Sequence, residues 1–488
     1  MYRIHLTNTG EDLHAQPGSN LLDVLRTHQC APEAPCGGHG ACGKCSVLVD
    51  GAEKLACQTT VDRDMTVTLP PKAKKTNVLV EGVSAEIPVD PMRPGYLLAF
   101  DIGTTTVVGY LLNEQGKEIA AESMLNPQAP FGADVISRIQ LALNGEAEAM
   151  ITCIREGLAE LTQAVCKKAG IDASEIGVVS VVGNPCMQQL FLGLPLENLA
   201  TVPFAPCIIK AQTEDAKEII PLWENAVLLT PPDISGYVGA DTMGCILSTE
   251  MYAGDAMTLM VDIGTNGEMV LGNKARMVAC STAAGPALEG AKIKFGMRGA
   301  PGAIDHVWVE GGALKCSVIG GGKAVGICGS GLIDAVACLL ELGLLNARGR
   351  LQSDDEEAGE RIIRLADGVY LTQNDIREVQ MAKGAIAAGI SLMLRELGID
   401  TQDVDRVLLA GAFGSFLKPE SDCRIGLLPP ELLPKITAVG NAAGGGAKMM
   451  ACSKTEFART DALIAQIQFV ELASQPDFQR VFAKHMRF

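Results

Sequence analysis

Near the middle of the chain stands Met260-Val261-Asp262-Ile263-Gly264-Thr265-Asn266-Gly267-Glu268. It follows the apolar run 256–259 and is followed by a second apolar run at 269–271. This pattern predicts a buried strand that ends in a carboxylate, then a turn rich in glycine and hydroxyl groups, then a second strand. A second copy of this strand–turn–strand unit in the same chain would indicate that the fold contains a duplication.

A near copy of this unit lies in the first half of the chain. Asp101-Ile102-Gly103-Thr104-Thr105-Thr106 stands between the apolar runs 96–100 and 107–112. A single copy is compatible with an ordinary hairpin turn. Two copies with matching flanks indicate a duplicated structural unit.

Both turns carry residue types that suit phosphate groups. Glycine lets backbone N–H groups approach phosphate oxygens closely, and threonine hydroxyls add donors. The carboxylates of Asp101 and Asp262 can hold Mg²⁺ through water or position an attacking water, so we predict that they are catalytic. The predicted phosphate-contacting residues are Gly103, Thr104, Thr105, Thr106, Gly264, Thr265 and Asn266.

Length and composition restrict the class of protein. With 488 residues we expect two to four domains, and 53 glycines with only 4% aromatic residues suit an α/β fold with many tight turns. The net charge of −17 argues against nucleic acid as the main partner. Residues 1–7 alternate like a strand and no apolar run reaches the length of a membrane span, so we expect a cytoplasmic protein that does not enter a membrane.

Four of the sixteen cysteines form a spaced group, Cys36-x5-Cys42-x2-Cys45-x11-Cys57. Three thiolates in a glycine-rich loop and a fourth returned by a hairpin suit a [2Fe–2S] cluster. A redox dithiol at Cys42 and Cys45 is an alternative, but that motif should open a helix after a strand. Structural zinc is a second alternative, although zinc modules usually pair their cysteines, and Cys36 and Cys57 are unpaired.

The segment around these cysteines resembles the β-grasp type of [2Fe–2S] ferredoxin. A strand and hairpin near the N-terminus, a short helix at 20–25, and strands at 46–49 and 65–69 are expected. The proline-rich and basic run 70–76 is expected to begin a linker.

Two large units with the same predicted order follow, each beginning with three strands. In the first, a buried strand ends at Gly183-Asn184, as if facing the cleft. In the second, the glycine-rich insertion 281–305 has no regular period and is expected to be a functional loop near the nucleotide. The glycines of 326–334 are interpreted as close helix packing, and a buried strand at 407–410 runs into a glycine turn.

Together these motifs resemble the acetate kinase/sugar kinase/heat-shock ATPase/actin superfamily. The resemblance implies that Asp101–Thr106 and Asp262–Gly267 are the two phosphate loops and that Gly411–Gly414 is the adenosine loop. The fold class is then an α+β ferredoxin-like β-grasp domain joined to an α/β two-lobed, actin-like (duplicated ribonuclease H-like) ATPase domain. The further cofactor-binding residues implied are Gly329, Gly331, Gly411, Ala412, Phe413 and Gly414.

An N-terminal [2Fe–2S] domain on such an ATPase is similar to the reductive activators of corrinoid proteins. The resemblance implies a [2Fe–2S] cluster, ATP and Mg²⁺ as cofactors, a corrinoid protein of a methyltransferase system and a low-potential electron donor as partners, and a homodimer. The expected reaction is ATP-dependent electron transfer to Co(II) that regenerates Co(I). The expected domains are 1–70 (ferredoxin-like), 71–95 (linker), 96–255 (first lobe) and 256–488 (second lobe).

Two other functions stay open on the sequence alone. One is an ATP-driven electron donor to a different low-potential metalloenzyme. The other is a small-molecule kinase with a regulatory ferredoxin domain, which should phosphorylate its substrate without needing the cluster. A protein with inactive ATPase loops is disfavoured, because both Asp101 and Asp262 are present.

Overall fold

The structure is a computed structural model that describes residues 1–28, 30–32, 34, 38, 40, 43–70, 88–264, 266–357 and 359–488, with only the backbone at Ala412 and Phe413. Three of the predicted site residues, Cys36, Cys42 and Thr265, lie outside the described residues. Most of the predicted linker, residues 71–87, also lies outside them.

The N-terminal unit is a five-stranded sheet with one helix against it. Its strands lie in the order β2-β1-β5-β3-β4, with β1 and β5 parallel. The helix begins as predicted, because the side chain of Asn20 accepts a hydrogen bond from the Leu22 N–H at 3.0 Å. The elements are β1 (Tyr2–Leu6), β2 (Asp12–Ala15), α1 (Leu21–Thr27), β3 (Ser46–Val49), β4 (Ala52–Leu55) and β5 (Met65–Thr68).

The next unit, called the first lobe below, is built on a six-stranded sheet in the order β10-β11-β9-β6-β7-β8. Strands β6, β7 and β8 form an antiparallel meander, and β9 and β11 continue the sheet in parallel with β6. The elements are β6 (Tyr96–Ile102), β7 (Thr106–Leu112), β8 (Glu118–Leu125), α2 (Val135–Leu141), α3 (Ala147–Ala169), β9 (Ile176–Gly183), α4 (Pro185–Leu192), α5 (Glu197–Ala200), β10 (Gln212–Asp215), β11 (Val227–Thr230) and α6 (Ala240–Ser248).

The remaining unit, the second lobe, has a six-stranded sheet in the order β22-β21-β12-β13-β14-β23. The elements are β12 (Thr258–Ile263), β13 (Gly267–Asn273), β14 (Arg276–Thr282), β15 (Ala303–Glu310), β16 (Ala313–Val318), β17 (Gly326–Ile327), α7 (Gly329–Glu341), β18 (Glu356–Glu357), β19 (Glu360–Ala366), β20 (Val369–Thr372), α8 (Gln373–Leu397), β21 (Arg406–Ala410), α9 (Gly411–Gly414), α10 (Pro419–Arg424), β22 (Ile436–Gly440), α11 (Ala442–Cys452), α12 (Lys454–Ile464), β23 (Ile467–Phe469) and α13 (Phe478–His485).

The two lobes share one sheet topology. In the second lobe β12, β13 and β14 form the antiparallel meander, and β21 and β22 add the parallel strands. The order β14-β13-β12-β21-β22 therefore repeats the order β8-β7-β6-β9-β11 of the first lobe. This repeat confirms the duplication expected from the two Asp-Ile-Gly-Thr turns.

Two details differ from the expectations. The irregular loop expected through Asp305 ends earlier, because β15 begins at Ala303 and pairs with β16. The apolar residues Ile304 and Val307 become buried in this hairpin. The glycine turn expected after β21 is instead the single helical turn α9.

Helices α6 and α11 cross between the two sheets, and one apolar core includes both helices and residues of both sheets. The two helices contact each other at Gly244 of α6 and Gly446 of α11. A Cβ at Gly446 would lie 2.2 Å from the Cα and the carbonyl oxygen of Gly244, closer than any real side chain approaches. The Ser248 hydroxyl donates to the Ala442 carbonyl at 2.7 Å across the same crossing. The distance between the lobes is therefore set by backbone contact.

The N-terminal unit and the linker each contact a lobe. The Arg26 Nε donates to the Pro130 carbonyl at 2.8 Å, and its guanidinium lies 5.6 Å from the centre of the Phe131 ring. At the end of the linker, Asp90 accepts from the Thr455 hydroxyl at 2.8 Å at the start of α12. The N-terminal unit thus contacts the first lobe, and the described end of the linker contacts both lobes, since Arg93 also lies 3.2 Å from Asp215 of the first lobe.

We predict that Gly446→Ala lowers the free energy of unfolding by about 1–3 kcal/mol or more, because the added methyl group forces α6 and α11 apart. Thermal or urea denaturation measures the change. Gly254→Ala is the matched control, since its Cβ would meet only the Ala256 nitrogen at 4.0 Å. Equal stability of the two variants would contradict the close crossing.

Candidate functional site

The first phosphate turn, residues 103–106, is supported by hydrogen bonds from side chains of its own lobe. The Asn126 Nδ2 donates to the Gly103 carbonyl at 2.8 Å, and an Arg138 guanidinium nitrogen donates to the Thr104 carbonyl at 2.5 Å. Asn184, the N-cap of α4, donates to the Thr104 hydroxyl at 3.1 Å. Asn184 therefore faces the cleft, as the sequence predicts. These contacts fix the turn before any ligand is present.

Arg138 is a fully buried guanidinium, and burial lowers its pKa to about 10. Besides the Thr104 carbonyl it donates to the Gly132 carbonyl at 3.0 Å and to the Gln128 side chain at 3.3 Å. A buried charge with several acceptors is costly to disturb. Arg138 thus acts on the turn as a rigid support, which sequence analysis did not identify.

The second turn occupies the equivalent place in the second lobe. Asp262 is on β12, and the Gly264 N–H donates to the Asn266 carbonyl at 3.0 Å, which closes the turn. Gly411, at the start of α9, has a φ of +86°, and a Cβ there would lie 2.4 Å from an Asp262 carboxylate oxygen. The predicted adenosine loop is therefore directly beside the second phosphate turn.

Asp101 and Asp262 each contact a side chain that belongs to the opposite lobe. Asn441, the N-cap of α11, donates to the Asp101 carboxylate at 2.8 Å. Cys245 on α6 places its thiol 3.9 Å from an Asp262 carboxylate oxygen. The helices that cross between the sheets thus carry the side chains that contact Asp101 and Asp262.

The cleft concentrates negative charge. Burial, together with the Asp241 and Asp262 carboxylates, raises the pKa of Asp101 to about 7. Burial and Asp241 likewise raise the pKa of Asp262 to about 7. The pKa values of Asp241 and Glu268 are also raised, chiefly by burial. In the part of the chain that the structure describes, no basic side chain is among the groups that shift the pKa of Asp101 or Asp262, so an incoming cation would relieve this repulsion.

Asp241 and Glu268 are site residues that sequence analysis did not identify. Asp241 lies in the first turn of α6, directly after Gly239-Ala240, and the available signal was a single carboxylate in a helix that has no other charged residue. Glu268 directly follows the second turn, and no separate role was predicted for it. Within the described ranges no three His, Cys, Asp or Glu side chains converge closely enough to hold a bare metal ion.

The glycine-rich insertion reaches across to the first turn. The Thr105 hydroxyl donates to the Glu289 carboxylate at 2.7 Å. The same hydroxyl is a predicted phosphate donor, so a bound phosphate and Glu289 would compete for it. This contact places the insertion at the cleft, where the sequence predicts a functional loop.

Gly329 and Gly331 begin α7. The described residues show no contact between these two glycines and either phosphate turn. A Cβ at Gly331 would lie 2.4 Å from the Ile304 carbonyl oxygen. This supports the packing interpretation for Gly331, whereas the role of Gly329 and Gly331 in cofactor binding stays a prediction.

Two of the four predicted cluster ligands are described, and they lie together. The sulfurs of Cys45 and Cys57 are buried and 3.3 Å apart, too far for a disulfide bond of about 2.05 Å. The hairpin of β3 and β4 brings them together, as predicted. Two adjacent buried thiols fit the ligand pair that one iron of a cluster requires.

None of the described helices combines the length and the apolar character that a membrane crossing requires.

We predict that Asp262→Asn stabilises the nucleotide-free protein at pH 8 by up to about 4 kcal/mol. The folded protein holds the proton of Asp262 more tightly than the unfolded chain does, so the ionised carboxylate costs stability above its folded pKa of about 7. This cost disappears as the pH falls from about 7 towards 4.

Thermal denaturation at pH 8 and pH 5 measures the difference between variant and wild type. Asp255→Asn is the control, because Asp255 is exposed and 3.0 Å from Lys274. A stabilisation by Asp262→Asn that is the same at both pH values would contradict the proposed cause.

Comparison with known proteins extends these observations to the whole chain. Family models match the 2Fe-2S iron-sulfur cluster binding domain at residues 4–65, the RACo middle region at 96–254, and the C-terminal domain of RACo, the ASKHA domain, at 256–488. The cluster domain favours [2Fe–2S] over the zinc and dithiol alternatives, and the ASKHA domain is an ATP-binding fold, so both of these cofactor predictions are confirmed.

Individual relatives cover most of the chain. The corrinoid activation enzyme RamQ of Eubacterium limosum is 31% identical, over 98% of this chain and 98% of its own length. The Co(II) methylated amine-specific corrinoid protein reductase of Methanosarcina barkeri is 28% identical, over 74% of this chain and 70% of its own length. A solved structure of a reductive activator for a corrinoid, iron-sulfur protein has a TM-score of 0.75 and 27% identity, and the match covers 100% of this chain and 98% of that one. The chain therefore belongs to the RACo family of reductive activators of corrinoid proteins.

Proposed function

We propose that this protein is an ATP-dependent reductive activator that passes one electron from its [2Fe–2S] cluster to a Co(II) corrinoid protein and thereby regenerates Co(I) for methyl transfer. The observation that carries the proposal is the presence on one chain of the Cys45–Cys57 thiol pair and the duplicated phosphate turns with Asp101 and Asp262. The names of the family relatives support the corrinoid protein as acceptor.

Energetics explain why a cluster and an ATPase belong together. A plant-type [2Fe–2S] cluster has a potential of about −400 mV, and Co(II) in a corrinoid is harder to reduce. Each 59 mV uphill for one electron costs about a factor of ten in the equilibrium constant. ATP binding or hydrolysis would supply the difference by changing the conformation or the axial ligation of the corrinoid protein.

The proposed roles follow from the contacts. Cys36, Cys42, Cys45 and Cys57 would hold the cluster. The turns Gly103–Thr106 and Gly264–Asn266 would bind the phosphates, and Gly411–Gly414, with Ala412 and Phe413, would lie beside adenosine. Mg²⁺ would be held by Asp101, Asp262 and Asp241 through its water shell, which suits carboxylates that do not converge on a bare ion.

Closure of the cleft is the proposed link between ATP and electron transfer. The crossing of α6 and α11 supplies a hinge, and two-lobed domains commonly close around a ligand in this way. The domains 1–70, 71–95, 96–255 and 256–488 stay our proposal, supported by the matched ranges 4–65, 96–254 and 256–488. A separate low-potential electron donor, a homodimer and a cytoplasmic location are likewise proposed.

We predict that Cys57→Ser loses the visible absorbance of the cluster and electron transfer to Co(II), but hydrolyses ATP at the wild-type rate. The reason is that a cluster ligand is removed while the cleft is untouched. Cys207→Ser is the control, because Cys207 lies in the first lobe, where its sulfur accepts from the Asn198 side chain at 3.3 Å. Normal electron transfer by Cys57→Ser would exclude Cys57 as a ligand.

We also predict that Asp262→Ala keeps the cluster spectrum but loses ATP hydrolysis and corrinoid reduction by about 100-fold or more. Asp255→Ala, seven residues earlier and exposed, should behave like wild type. If Asp262→Ala reduced Co(II) normally, the ATP-driven mechanism would be wrong. Phosphorylation of an added small molecule by Cys57→Ser, which lacks the cluster, would instead support the kinase alternative.

A further inference from the structure

An arginine-lined cavity lies in the second lobe, outside the cleft. It measures about 370 Å³, and four arginines share its wall with the side chains of Gln373 and Gln380. The arginines come from three segments that are separate in sequence: Arg348 and Arg350, Arg361, and Arg377. Four guanidinium groups in one cavity are unusual for a chain with a net charge of −17.

The loop that carries two of these arginines is held in one conformation. The Asn346 side chain accepts hydrogen bonds from the N–H groups of Arg348 at 2.9 Å and Arg350 at 3.1 Å. Gly349 between them has a φ of +81°, and its carbonyl accepts from Gln373 at 2.6 Å. The backbone that carries the Arg348 and Arg350 side chains is therefore fixed by hydrogen bonds.

Within the described residues no carboxylate is ion-paired to a cavity arginine, and the carboxylate residue directly opposite one of them is Glu356, the β18 partner of Arg361. Among the residues that the structure describes, none of the four arginines forms an ion pair; Arg361 donates only to the Leu351 carbonyl, at 3.3 Å. The nearest acidic side chains on α8 have partners elsewhere. Asp375 caps the helix and accepts from Lys294 N–H at 2.9 Å, and Glu378 lies 3.7 Å from Lys292.

The cavity is distinct from the nucleotide cleft. None of its lining residues belongs to the two phosphate turns or to α9. None of them is among the groups that shift the pKa of Asp101 or Asp262. The positive charge of the cavity therefore does not serve the phosphates that the turns are proposed to bind.

We infer that this cavity is a second anion-binding site, and that its ligand is a small molecule with two or more phosphate groups. The planar guanidinium fork matches phosphate oxygens with two parallel hydrogen bonds. Several converging forks favour a multiply charged anion over a single carboxylate. A concave site of this size suits a small ligand rather than the surface of another protein.

The test is calorimetric titration of inorganic pyrophosphate into the full-length, cluster-containing protein at low and moderate salt. Arg350→Gln and Arg377→Gln should each weaken binding about tenfold or more, because each removes charge-assisted hydrogen bonds. Arg276→Gln, which removes an exposed arginine outside the cavity, should bind like wild type. Thr105→Val reports on the cleft and should leave this binding event unchanged. The three arginines chosen for substitution are exposed, so these variants should fold.

Three results would overturn the inference. One is the absence of pyrophosphate binding at millimolar concentration. A second is equal weakening by Arg276→Gln and the cavity variants, which would mean unspecific attraction to positive charge. The third is loss of binding in Thr105→Val with full binding in Arg350→Gln and Arg377→Gln, which would place pyrophosphate in the cleft alone. Failure of this site would leave the proposed reductive function untouched, because it is tested at other residues.

Discussion

The crowding of carboxylates in the cleft is the constraint on which the rest of the protein depends. Asp101, Asp241 and Asp262 lie within electrostatic reach of one another, and burial prevents water from screening them fully. ATP would add further negative charge to the same space. We therefore propose that nucleotide binds here together with a cation, and that the N–H and hydroxyl groups of the two turns supply the remaining donors.

The same carboxylates connect the chemistry to the architecture. Asp101 of the first lobe is bonded to Asn441 at the start of α11, and Asp262 of the second lobe lies beside Cys245 of α6. These two helices touch through Gly244 and Gly446 between the sheets. A change in the charge of either aspartate therefore changes its interaction with a side chain of α6 or with the N-cap of α11, and these helices set the distance between the lobes. The Thr105–Glu289 contact adds a second connection across the cleft.

Much of the fold could be predicted because its signals are local. A strand that ends in Asp-Ile-Gly-Thr indicates its own turn, and a second copy indicates the duplication. Asn184 was placed at the cleft for the same reason, since a fully apolar strand that ends abruptly in Gly-Asn brings a polar side chain to the edge of the sheet. The cysteine spacing likewise predicts that a hairpin returns Cys57 to the cysteine loop, and the sulfurs of Cys45 and Cys57 do lie together.

The residues that were missed depend on contacts between distant segments. Asn441 and Asp101 are 340 residues apart, and nothing near Asn441 in the sequence indicates a partner. Arg138 looks like an ordinary helical arginine until the fold buries it under the first turn. The hairpin of β15 and β16 was not predicted because glycines surround it in the sequence. The segment predicted as a glycine turn after β21 forms the single helical turn α9 instead. Tertiary contacts decided each of these cases.

The most direct test of the central claim is anaerobic mixing of the cluster-containing protein with a Co(II) corrinoid protein and a low-potential reductant, with and without MgATP. The absorbance change of the corrinoid reports Co(I). We predict reduction that requires MgATP and does not occur with the reductant alone. An intact cluster and ATP hydrolysis without any formation of Co(I) would contradict the account and indicate a different electron acceptor.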